Sequence, residues 1–149
     1  MINLDFIGLF VLIAGFIIGL GAVTVIDLHG FLGRKSSYWT EATIRTHKVT
    51  KPLIWLGLGL VIVGGLIFYR NAGFSGIPLY QAIIALVLVL NGLFLSFYVS
   101  PFLLAREQAG RQQELLPRSL QNKITVSLII SDIGWWGGLG LLIYYLIVR

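Results

Sequence analysis

Asp132 is the residue of this chain whose chemistry fits its surroundings least. It sits in Ile124 to Val148, 25 residues of nearly unbroken hydrophobicity, within Ser131-Asp132-Ile133-Gly134-Trp135-Trp136-Gly137-Gly138. A carboxylate deep in an apolar helix is costly and is kept for a partner or a task. At ~1.5 Å per residue it lies ~12 Å into its span. No Lys or Arg falls inside any apolar run to neutralise it. The expectation is a neutral carboxyl that locks helix packing by hydrogen bonding to Ser96, Tyr98 or a backbone group. The alternatives are a titrating role in proton or ion passage, a ligand contact, or contact with a partner subunit. Asn91, Ser96 and Tyr98 complete the intramembrane polar set, all in the third apolar run.

Asp27, His29 and His47 form a second candidate group. Asp27-x-His29 closes the first apolar run and His47 precedes the second, so all three are expected at one interface. Imidazole and carboxylate are zinc ligands. Two histidines on different helices can hold haem, and with two His in the chain such a site must use His29 and His47. The ordinary alternative is a set of interfacial residues, with Asp27 paired to Arg34 or Lys48. Trp135 and Trp136 fall near mid-membrane. They are expected to pack, or one of them to flank a flat ligand such as a quinone or porphyrin. There is no HExxH, GxSxG or P-loop, and no paired carboxylates are recognised, so no catalytic residue is expected. With no cysteine, disulfides, thiolate metal sites and cysteine catalysis are excluded.

These residues must be positioned by helices in a membrane. The chain has 149 residues, 57% hydrophobic and 11% charged, with mean hydropathy +0.90; a soluble domain carries roughly 25% charge. The pI near 9.8 does not indicate nucleic acid. The basic residues sit in short loops between apolar runs, where they act as topology signals and lipid-headgroup contacts. Spans are expected at about 6–28, 52–69, 78–105 and 124–148, joined by basic loops 30–51 and 106–123. The acidic segment before the first run does not fit a cleavable signal peptide. The first loop is expected to hold a short interfacial helix from Ser36-Ser37 to Val49. Pro52 is expected in the first turn of the second span, which at 18 residues is near the short limit and has room to begin earlier. Pro101 is expected to kink the third helix, with Ser100 satisfying a freed carbonyl. That helix has room to continue to about Glu114, before Pro117.

Every span carries small residues at helical spacing. Gly15 and Gly19, Gly57 and Gly64, Gly92 with Ser96, and Gly134 with Gly138 predict a closely packed bundle. Loops one and three hold nine of the eleven Lys and Arg. The positive-inside rule then puts those loops in the cytoplasm and both termini outside, in an inner (plasma) membrane. A parallel two-hairpin repeat is a further expectation. Lys48 and Lys123, like Gly65 and Gly140, stand 75 residues apart, and Gly15 and Gly92 stand 77 apart.

The stretch Asp27 to Gly57, with its basic loop and Pro52 and Gly57 opening the second helix, resembles small bacterial membrane proteins of the copper-resistance-D and HemJ (protoporphyrinogen-oxidase) kind. The resemblance covers the first half of the chain and implies haem. The family's haem-ligating histidine early in the first helix has no counterpart between Phe6 and Ile26, so no catalytic residue is carried over. The expectation is therefore an all-α, four-helix integral membrane bundle, a non-catalytic accessory or assembly subunit. It would contact lipid and pack through its glycine faces against other membrane subunits or its own copies, without nucleic acid. A haem- or quinone-binding redox protein, and a small oligomeric transporter with Asp132 as titrating group, remain the alternatives.

Overall fold

A computed structural model describes residues 3–73 and 75–148. They form an up-and-down bundle of four long helices, each long and apolar enough to cross a membrane. α1 is Leu4–Gly33 and α2 is Ser37–Phe68. The third long helix consists of α3 (Ile77–Phe94), a single π-helical turn (Leu95–Val99) and α4 (Ser100–Gln108). α5 is Arg118–Val148. The outward faces are apolar: Phe10, Ile17, Leu66, Leu86, Ile133 and Ile147 are all exposed. Water does not tolerate so continuous an apolar surface, whereas lipid does. The chain is a small multi-pass membrane protein.

The first loop departs from expectation. Only residues 34–36 separate α1 from α2, and no separate interfacial helix exists. Ser36 caps α2, its side chain accepting from Trp39 N, and Thr40 Oγ1 donates to Gly33 O at 2.8 Å to close the hairpin. α2 then runs unbroken through Pro52, which lies in the helix interior rather than its first turn. Ending the helix before Pro52 would orphan four carbonyls, whereas the proline removes one donor.

At Pro101 the structure answers the missing N–H differently from the sequence expectation. The π turn widens the helix by one residue, and Ser100 N donates to Leu95 O, five positions back. Ser100 Oγ does not repair a carbonyl; it accepts from Lys51 Nζ at 3.3 Å. The helix ends at Gln108 rather than near Glu114, because Gly110 adopts φ 68°, a left-handed conformation that stops a helix cheaply. Arg106 is buried there and donates to Glu114 O and Leu115 O, folding the loop back over the helix end.

α1 and α2 make the closest pair. A Cβ on Gly57 would lie 2.5 Å from Gly19 Cα, and one on Gly15 would lie 2.6 Å from Val61 N. These are backbone contacts, which glycine alone permits. α5 lies against α1 and α3 by a different device, in which glycine accepts a large side chain. Trp135, 1% exposed, seats its ring on Gly19, Leu88 seats on Gly134, and Phe16 on Gly138. Gly92 faces the Trp55 ring at 3.1 Å, so it and Gly15, its counterpart in the expected repeat, do different work. The main core is Leu12, Phe16, Val23, Leu58, Phe68, Leu88, Trp135 and Leu142, and a smaller one (Ile44, Val99, Leu103, Leu120) closes the basic end.

Candidate functional site

The helices do not pack evenly along their length. The half away from the termini holds a cavity of about 110 Å³. Its lining runs from Val23, Leu88 and Trp135, midway along the bundle, to Arg34, Thr40 and Gln121 at the basic end. The cavity's position follows from the residues. The glycine contacts of α1 and α2 at Gly8, Gly15, Gly57 and Gly64 lie in the other half, and beyond Gly19 the faces carry bulkier side chains.

Hydrogen bonds between helices cross the inner end of the cavity. Trp55 Nε1 donates to Ser96 Oγ at 3.1 Å. Asn91 Nδ2 donates to Ser127 O at 3.1 Å, and Ser127 Oγ donates back to Asn91 Oδ1 at 2.7 Å. Gln81 Nε2 donates to Gly138 O deeper in the bundle. Each satisfies polar groups that would otherwise be costly in an apolar surround.

Two polar groups on the cavity wall are not satisfied in this way. Asp27 is 9% exposed, and no donor reaches its Oδ2. His47 presents a buried Nε2 without a hydrogen-bond partner. Asp27 continues the buried stripe Leu12, Phe16, Gly19, Val23 of α1. His47, Lys51, Ile54 and Leu58 recur at helical spacing on α2 and all line the cavity.

Asp27 stands close enough to Asp132, across the α1–α5 contact, for the two carboxyls to interact. This corrects two expectations. The chain does contain a paired set of carboxyls. The partner of Asp132 is Asp27, not Ser96 or Tyr98: Ser96 is taken by Trp55, while Tyr98 accepts from Lys123 Nζ at 3.0 Å with that ammonium 4.8 Å from its ring centroid. Nor is Asp27 paired with Arg34 or Lys48, since Lys48 is bound to Glu107 at 2.8 Å.

Asp27, His29 and His47 do not converge. His29 Nδ1 lies 3.2 Å from Thr46 Oγ1, with its ring 5.2 Å from that of Trp39, while His47 faces the cavity. Among the described residues no three His, Cys, Asp or Glu side chains gather as a metal site. The two tryptophans separate: Trp135 is core and cavity wall, and Trp136 is 59% exposed on the outer surface. Lys51 and Trp55 were not singled out as cavity residues. The signal for them was available in their i, i+4 spacing after His47.

No protein-family model, curated protein or solved structure matches this chain.

Proposed function

We propose that the protein is a membrane-embedded binding protein for a small lipophilic molecule with a ring-sized polar head, of the quinone or phenol class. The observation that carries this reading is the cavity with two unsatisfied polar atoms, Asp27 Oδ2 and His47 Nε2, on its wall. A mainly apolar pocket with a few convergent polar groups is the general form of a small-molecule site. Trp55, Leu58, Leu88 and Trp135 supply flat and apolar walls.

The glycines named for packing against a partner are used inside the bundle. Gly15, Gly19, Gly57, Gly64, Gly92, Gly134 and Gly138 all face other helices of the same chain. A larger partner would reach them only by displacing those helices.

The test is titration of the purified chain with a decyl-tailed ubiquinone, read by tryptophan fluorescence. Trp55 and Trp135 report from the wall, and quenching should saturate. Gly30→Leu fills the cavity without removing a polar group, because a Cβ there meets only Leu128 Cδ1, at 3.6 Å. It should abolish the saturable phase. Equal quenching in both proteins would sink the proposal.

A further inference from the structure

A second cavity, of about 360 Å³, lies between α2 and α3 in the half of the bundle that carries the termini, and it shares no lining residue with the first. Its long walls are Val61, Gly65 and Leu66 of α2 and Ala82, Ala85 and Val89 of α3. Small residues leave this space. Gly64 is pressed against the Leu12 backbone and commits that side of α2 to α1; at Gly65, one position on, an added Cβ would meet nothing within 4 Å. The alanines of α3 do not reach across to fill the gap. Leu66 and Leu86 on the rim are exposed, so the cavity is a groove open to hydrocarbon. From Val61 to Tyr69 α2 rises ~12 Å at ~1.5 Å per residue. That is close to half of a hydrocarbon core ~30 Å thick, the depth of one leaflet.

Arg70 closes the groove at its water end. Its Nη1 donates to Asp5 Oδ1 at 2.6 Å and to Ile67 O at 3.0 Å. Among the described residues Nε and Nη2 make no hydrogen bond, so the Nη1 contacts fix the guanidinium and leave its other edge free. The pair with Asp5 is partly exposed and does not use up the cation. Two N–H groups side by side on a planar guanidinium match two oxygens of a phosphate. Gln81, also on the wall, spends its Nε2 on Gly138 O. We propose that the groove binds one phospholipid, an acyl chain between α2 and α3 and the phosphate on the Nε–Nη2 edge of Arg70. The free edge calls for an anion, the groove for a chain, and the length of the groove places both in one leaflet. A free phosphate would leave the groove empty, and an uncharged diglyceride would leave the guanidinium edge unpaired. This site is separate from the quinone-type pocket and does not depend on it.

Photolabelling of the full chain in lipid vesicles tests it. The probe is a phosphatidylglycerol with a diazirine midway along one acyl chain, and labelled residues are mapped by peptide mass spectrometry. Label should concentrate on residues 61–66 and 82–89, several-fold above the exposed α1 face at Phe10 and Ile17. Gly65→Leu puts a side chain into the groove and should remove that excess. Arg70→Gln should lower it several-fold. The diglyceride with the same diazirine chain should label the groove no more than the α1 face. Excess inorganic phosphate should leave the phosphatidylglycerol labelling in place. Even labelling of all exposed helix faces in the unmodified protein overturns the proposal without reference to any variant. So does an excess that survives Gly65→Leu. An excess unchanged in Arg70→Gln, or equal with the diglyceride, overturns the role of the phosphate, and displacement by inorganic phosphate assigns the Arg70 edge to the free anion instead.

Discussion

Gly57→Ala and Gly59→Ala place the same methyl group two residues apart on α2, and the structure assigns them opposite outcomes. At Gly57 the new Cβ would lie 2.5 Å from Gly19 N and Cα and 2.9 Å from Gly15 O. All three atoms are backbone, so no rotamer change relieves them. Restoring ordinary contact, at 3.4 Å or more, requires α1 and α2 to part by about 0.9 Å. A gap of that size forfeits roughly a quarter to a half of the dispersion energy of each contact along the seam. Overpacking of this kind costs about 1–3 kcal/mol. At Gly59 nothing lies within 4 Å, and the methyl faces outward. Both variants gain the same helix propensity, about 1 kcal/mol, so that term cancels in the comparison. Gly57→Ala should be less stable than Gly59→Ala by about 1–3 kcal/mol, roughly 5- to 150-fold in the unfolding equilibrium. Reversible unfolding in mixed micelles with increasing dodecyl sulfate, followed by tryptophan fluorescence, measures the difference. Equal midpoints for the two variants would show that the α1–α2 seam is not set by backbone contact, and the packing argument would be wrong.

Two further outcomes follow from the hydrogen bonds. In a double-mutant cycle, Asn91→Ala and Ser127→Ala should couple by about 0.6 kcal/mol, a typical value for interhelical bonds in membranes; additive losses would mean the reciprocal pair does not form. In the loop between α4 and α5, the Arg111 guanidinium donates to both Glu114 carboxylate oxygens at 2.9 Å and holds that acid below the usual carboxylate range. The folded value being the lower one, this tie is complete above the ordinary carboxylate pKa and is lost as pH falls through the depressed value. Amide exchange of residues 109–117, referenced to an unstructured peptide of the same sequence, should gain speed on acidification. In Glu114→Gln this gain on acidification should disappear, and a loop whose exchange ignores both changes has no such tie.

Much of the architecture is written in the order of the residues. Four apolar runs of helix-spanning length without internal Lys or Arg determine four helices in a membrane, because a segment that long and apolar satisfies its own backbone hydrogen bonds there only as a helix; a barrel strand is about half that length and alternates in polarity. The small residues at helical spacing mark the faces that turn inward. Those are one-dimensional properties, readable from composition and period. Boundaries were less legible where two rules competed. Pro52 signals a helix start, yet the cost of orphaned carbonyls carries α2 through it; Gly110, not Pro117, ends α4.

The site itself was decided only by the tertiary structure. Asp27 and Asp132 are 105 positions apart in sequence, and neither position announces the other. Depth along each helix left Ser96 and Tyr98 as plausible neighbours for Asp132. Rotation about the helix axes, set by how Trp135 seats on Gly19, turns Asp132 toward α1 instead. The cavity is likewise a residue of packing, the space left where the glycine seam of α1 and α2 ends. Periodicity shows which face of a helix is buried. It does not show which helix that face will meet, because pairing depends on the fit of side-chain volumes across helices distant in sequence.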